Sequence, residues 1–305
     1  MRFFLRYVTT LFCVTSAGLI LSVPVSPSAK RPPIVGIAHI AFQVSDMAKA
    51  REFYGGLLGF EEPFHLFNED GTVMLTYFKI NDRQFVEILP GLPAGQDERL
   101  SHIALETTDL ETLRLFLAEK GVSVPDRLNK GQDGNLSLTL KDPDGHTIEF
   151  VQYLPDSQPS KTKGEYLSER RISDRILHVG ITVKDVVAAD RFYKEVLGLS
   201  EIWRGGMTSS KTDWINMVVP DGTDYVEYML VKEKGDRKLL GILHHLALQV
   251  PDIQKALEAI RQRSTSLSPA TTLEPPRVGR NNRWQLNLYD PDGSRTELME
   301  PFTIK

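Results

Sequence analysis

One eight-residue phrase occurs four times in this chain and limits its possible folds more than any other feature. The copies are HIAFQVSD from His39 to Asp46, HIALETTD from His102 to Asp109, HVGITVKD from His178 to Asp185 and HLALQVPD from His245 to Asp252. Apolar residues alternate in each with His, then Ala or Gly, then Gln, Glu or Thr, which is the period of a strand with two unlike faces. In the first copy Ile40, Phe42 and Val44 point to a core, and His39, Ala41 and Gln43 point to the opposite face. Four copies of one strand in one chain mean four copies of one supersecondary module.

The Asp that closes each phrase is a natural helix N-cap, because its carboxylate accepts from the unpaired N–H groups of a first helical turn. Residues at helical spacing follow: Ala50, Phe53, Tyr54 and Leu57 before Gly59, and Ala189, Phe192, Tyr193 and Leu197 before Gly198. Short apolar strands come next, and each module ends on one with a central Glu, at Glu87, Glu149, Glu227 and Glu297. Two of these strands are entered through Asp-Pro-Asp-Gly tetrads, Asp142–Gly145 and Asp290–Gly293, which read as tight turns and not as calcium loops. The module is therefore βαβββ, and the fold class α+β. A polar stretch, residues 156–174, separates a first pair of modules at 34–155 from a second at 175–302.

Composition narrows the function. With 36 basic and 40 acidic residues and a formal charge of -4, the chain has no field to draw nucleic acid or an anionic membrane, and a small molecule is the expected partner. Residues 1–29 carry Arg2 and Arg6 ahead of an apolar run from Tyr7 to Val23, the pattern of a secretory signal peptide or an N-terminal anchor. The folded part is thus expected to be exported, periplasmic or secreted, free of the membrane after cleavage, as a monomer or homodimer. Cys13, the only cysteine, lies inside that run, which removes disulfides and thiolate ligands from the mature chain.

Each module presents one His in its first strand and one Glu in its last, 47 to 52 positions apart and on the face away from the helices. If modules pair edge to edge, two His and two Glu meet. Imidazole nitrogens and carboxylate oxygens suit a divalent metal ion, Zn, Ni, Co, Fe or Mn, without choosing among them. A lone strand His is more often satisfied by one carbonyl, and a lone strand Glu by solvent; joint recurrence in all four modules, in one phase, favours ligands.

These strands, the Phe-Tyr helices, the Asp-Pro-Asp-Gly turns and the closing Glu together resemble the vicinal oxygen chelate superfamily of glyoxalases, bleomycin resistance proteins and extradiol dioxygenases. The resemblance covers about residues 34 to 302. It implies modules paired into two cup-shaped mixed β-sheet domains with helices on the outer faces. It also implies metal sites at His39, Glu87, His102 and Glu149, and at His178, Glu227, His245 and Glu297, with Glu149 and Glu297 as catalytic bases. His244, in the opposite strand phase, is not the expected ligand. Intact His/Glu sets point to a glyoxalase- or epimerase-like isomerase or lyase working through an enediolate. The alternatives are ring-cleaving dioxygenation, weakened by the lack of a His in Arg283–Pro291, and metal-free small-molecule binding. Trp203, Arg204, Trp214, Tyr225 and Arg283 are candidate substrate contacts.

Overall fold

The structure, a computed structural model, describes residues 30–232, 237–264 and 273–302. The export segment expected at 1–29 lies outside them. Sixteen strands are found among the described residues. The first half holds β1 (Ile34–Val44), β2 (His65–Phe67), β3 (Val73–Lys79), β4 (Phe85–Pro90), β5 (Leu100–Thr107), β6 (Asn129–Lys130), β7 (Leu136–Lys141) and β8 (Thr147–Gln152). The second holds β9 (Ile176–Val183), β10 (Ser200–Gly205), β11 (Trp214–Val218), β12 (Tyr225–Leu230), β13 (His245–Gln249), β14 (Arg277–Val278), β15 (Trp284–Tyr289) and β16 (Arg295–Met299).

They form two eight-stranded mixed sheets with the same order, β2-β3-β4-β1-β5-β8-β7-β6 and β10-β11-β12-β9-β13-β16-β15-β14. In each module the first strand runs parallel to the last, and the two modules of a half join through their first strands, β1 to β5 and β9 to β13, antiparallel. That junction puts the repeated phrases side by side at the centre of each sheet, which is the α+β architecture expected.

All four Asp residues cap helices as their position dictates: Asp46, Asp109, Asp185 and Asp252 each accept from backbone N–H groups two or three residues on. In modules one and three the helix opens after one turn into wider π turns, Glu52–Leu57 and Asp190–Val196. Phe53, Tyr54, Phe192 and Tyr193 are buried there, as core residues. Burying each such ring removes most of its surface from water, worth about 1.5–3 kcal/mol.

The two tyrosines also join the halves. Tyr54 donates to Asp290 (3.2 Å), and Tyr193 to Asp142 (2.9 Å), so each module-one or module-three helix grips the Asp-Pro-Asp-Gly turn of the other half. The last Asp of each tetrad adds a second clip, Asp292 accepting from Ser45 N and Asp144 from Lys184 N. The segment between the halves is itself packed: the buried Lys79 ammonium donates to the carbonyls of Thr162 and Glu165.

The two buried Asp residues differ in charge balance. Burial would raise Asp142, but the hydrogen bonds and charge of His146 together with the Tyr193 hydroxyl outweigh this and lower it. Asp290 has no histidine partner, and burial pushes it up to about 6. A carboxyl raised in the folded state stabilises fully below its unfolded value near 3.8, and that contribution is lost as pH rises through about 6. The unfolding free energy of the wild type relative to Asp290→Asn is therefore expected to fall by up to about 3 kcal/mol between pH 4 and pH 7. Urea titrations across that range check it; a constant difference contradicts it.

Candidate metal centres

Strand register explains the small residue in each phrase. In the first sheet Ala41 lies opposite Glu87 on one side and His102 on the other, and Ala104 lies opposite Glu149 and His39. In the second, Gly180 lies between Glu227 and His245, and Ala247 between Glu297 and His178. Each row thus places a Glu and a His from different modules on either side of a residue too short to separate them. Crossing two such rows brings four side chains to one point on the face away from the helices.

In the first cup His39 Nε2 and His102 Nε2 are 2.9 Å apart. Glu149 Oε2 is 3.0 and 3.3 Å from them, and the Glu87 oxygens 3.3 and 3.4 Å. In the second, His178 Nε2 and His245 Nε2 are 3.0 Å apart, Glu227 Oε2 is 3.7 and 3.4 Å away, and Glu297 Oε2 3.9 and 3.6 Å. Ligands about 2.0–2.2 Å from one ion lie roughly 2.9–3.5 Å from each other, so the first set fits a cation as it stands and the second is slightly wider. His39, His102 and Glu149, and likewise His178, His245 and Glu297, offer ligand atoms that all lie within 4.8 Å of one another. His245 Nδ1–H donates to the Leu243 carbonyl (2.9 Å), which leaves Nε2 as the lone-pair nitrogen facing the site.

The two cups differ electrically. Burial would lower His102, but hydrogen bonds with Glu149 and Glu87 outweigh it and raise the imidazole to about 10. Burial would likewise raise Glu149 and Glu87, yet the two imidazoles hold both below the usual carboxylate range. In the second cup burial dominates. It pushes His178 down to about 3 and His245 well down, with the charge of Arg295 acting in the same direction on both. Glu297 rises to about 7 through burial, Arg295 opposing and Glu227 adding to the rise.

The first cavity, about 330 Å³, is lined by Leu66, Tyr77, Lys130, Asp133 and Tyr153 beside the four ligands. The second, about 510 Å³, is walled by Trp203, Trp214, Met229, Arg277, Arg280 and Arg295, with Glu227 and Glu297 at its base and both His beneath them. Of the expected substrate contacts, Trp203 and Trp214 line this cavity. Arg204 does not: on the alternating strand β10 it faces outward and pairs with Glu201 (Nε to Oε1 2.6 Å). Tyr225 is buried behind the ligands, stacked on His178 at 4.5 Å. Arg283 is not a lining residue, although its charge reaches His178. His244 turns from the site; its Nδ1–H donates to Glu98 (2.8 Å) and its Nε2 contacts Thr182 Oγ1 (3.0 Å). Sequence reasoning missed Arg295, whose signal was its place two residues before Glu297, on the same strand face.

A duplicated sheet whose two hollows each converge two His and two Glu defines a protein of paired βαβββ modules with two candidate metal centres. The sequence matches the Glyoxalase/Bleomycin resistance protein/Dioxygenase superfamily over residues 36–150 and 175–298, and the chain belongs to that superfamily. No curated protein sequence matches it. Among solved structures it is similar to the 2,3-dioxygenase LapB from Pseudomonas sp. KL28, at 17% identity and TM-score 0.67 over 89% of this chain and 93% of that one. It is also similar to homoprotocatechuate 2,3-dioxygenase from Brevibacterium fuscum in complex with 3,4-dihydroxyphenylacetate, at 21% identity and TM-score 0.65 over 90% and 82%. At such identities the likeness is one of fold.

Proposed function

We propose that this protein is a metal-dependent enzyme of glyoxalase or epimerase type, an isomerase or lyase acting on a small carbonyl or vicinal-oxygen substrate, with the second cup as its working site. The observation that carries this reading is the fourth ligand: Glu227 and Glu297 both reach the His178–His245 pair, and Glu87 and Glu149 reach His39–His102. A divalent ion held there would polarise a substrate carbonyl and make the neighbouring C–H more acidic. The chain's own part is to hold and move the proton: one carboxylate oxygen of Glu297, or of Glu149 in the first cup, takes it from carbon and returns it. Trp203 and Trp214 line the cavity on either side of the space a substrate would take. The N-terminal pattern supports an exported location, which cell fractionation tests.

Ring cleavage is the second reading, supported by the grouping of His178, His245 and Glu297 as a two-His, one-carboxylate set. Deuterium incorporation next to the carbonyl of α-hydroxyaldehydes and α-hydroxyketones, followed by NMR in D2O, separates the two. The proposal expects metal-dependent exchange that falls 10²–10⁴-fold in Glu297→Gln. Sustained oxygen uptake with catechols, without exchange, would replace it by the second reading.

A further inference from the structure

The internal duplication allows the two cups to be compared position by position. The rim hairpins share one register: Asn129 pairs with Ser137 and Lys130 with Leu136 in the first, Arg277 with Gln285 and Val278 with Trp284 in the second. Between those pairs, Gly131-Gln132-Asp133-Gly134-Asn135 stands where Gly279-Arg280-Asn281-Asn282-Arg283 stands. Gly134 and Asn282 both adopt positive φ, 86° and 58°, so the turns correspond residue for residue. Lys130 and Asp133 cancel on the first rim; Arg277, Arg280 and Arg283 leave three positive charges on the second.

A further difference lies inside. Thr147 stands two residues before Glu149, and Arg295 two residues before Glu297. Arg295 is 8% exposed, lies beside His245 in the sheet, and its Nη2 is 3.8 Å from Glu297 Oε2. Its Nε has no hydrogen-bond partner. A buried N–H without an acceptor is costly, on the order of 1–3 kcal/mol, and Arg295 lines this cavity. With a divalent ion matched by two carboxylates, the first cup would be close to neutral, while the second would keep the charge of Arg295 inside and those of Arg277 and Arg280 on its walls. Arg280 already reaches across the mouth to the Met207 carbonyl (2.6 Å), which holds its charge over the cavity.

Resting on the reading of the second cup as the working site, we infer that this cup selects a flat vicinal-oxygen compound that also carries a carboxylate, with Arg277, Arg280 and Arg295 as the residues that set this specificity. The tryptophan walls accept the flat body, and the guanidinium forks match a carboxylate in geometry as well as charge. The first cup, with a half-buried Asp133 where the second has Asn281, disfavours the same ligand.

The test uses three chelating probes of equal size, benzohydroxamates bearing para-carboxylate, para-carboxamide or para-aminomethyl groups, titrated by calorimetry into protein whose metal content has been measured. The carboxylate probe is expected to bind at least tenfold more tightly than the carboxamide, and the aminomethyl probe more weakly than either. The preference is expected to weaken with added salt and to fall in the Arg277→Gln/Arg280→Gln double variant, which keeps Arg295 and whose changes are at exposed positions; an undiminished preference in that variant overturns the assignment. Equal affinity for the carboxylate and carboxamide on metal-loaded protein overturns the inference and leaves the metal reading standing. Protein that takes up no metal and binds none of the probes overturns both.

Discussion

Replacing Gly180 by Ala is expected to remove the metal from the second cup while leaving the first loaded. Gly180 lies in the row between Glu227 and His245, and a methyl group there would overlap Cε1 and Nδ1 of the His245 ring. The ring has no easy retreat, because its Nδ1–H is tied to the Leu243 carbonyl and the residue is fully buried. The other three modules carry Ala at this point, so the substitution restores the commoner residue and still breaks the site. Overpacking of this kind costs about 1–3 kcal/mol of stability, too little to unfold a chain of this size, whereas displacing one of four ligands lowers metal affinity by far more than the 10–100-fold typical of supporting contacts. Metal analysis of dialysed wild type and Gly180→Ala, with circular dichroism to verify folding, checks it. Equal metal content in the two proteins contradicts it.

The second large effect concerns the joint between the halves. Asp142 accepts from the Tyr193 hydroxyl, from the backbone N–H groups of Asp144 and His146, and from His146 Nδ1. Asp142→Ala leaves all four donors facing a cavity, and losing a buried charged partner costs about 3–5 kcal/mol. Tyr193→Phe, which removes one neutral donor and leaves the turn intact, is expected to cost only about 1 kcal/mol. Urea denaturation of the two variants distinguishes a turn that holds the halves together from one that merely reverses the chain. Similar, small losses for both would show that the clip contributes little.

What could be read from the sequence followed from periodicity. A strand whose alternate residues are His, Ala and Gln declares both its faces, and four copies declare the module, so the α+β fold and the shared face of the eight His and Glu side chains are legible before any coordinates. The preference for Ala or Gly after Ile, Val or Leu was visible but unexplained, because its cause is the row of residues on neighbouring strands. Contacts between the halves were hidden for the same reason: nothing in Tyr54 or in the turn at Asp290 says that residues 236 positions apart will meet. Arg204 was misplaced because the direction of a side chain on an edge strand depends on a shift of register between Glu201 and Trp203 that only the folded sheet displays. Arg295 is hidden in the sequence because a charged residue at the start of a strand ordinarily faces solvent, and only the folded sheet turns this one into the cavity.

The account depends on side chains from paired modules gripping a cation, and bound metal per chain measures this directly. Protein loaded with divalent metal and dialysed, then analysed by plasma mass spectrometry as wild type, His39→Ala and His178→Ala, is predicted to lose one equivalent in each variant, with X-ray absorption showing only nitrogen and oxygen neighbours around the ion. Wild-type protein that retains no metal, or variants that retain as much as the wild type, would contradict it.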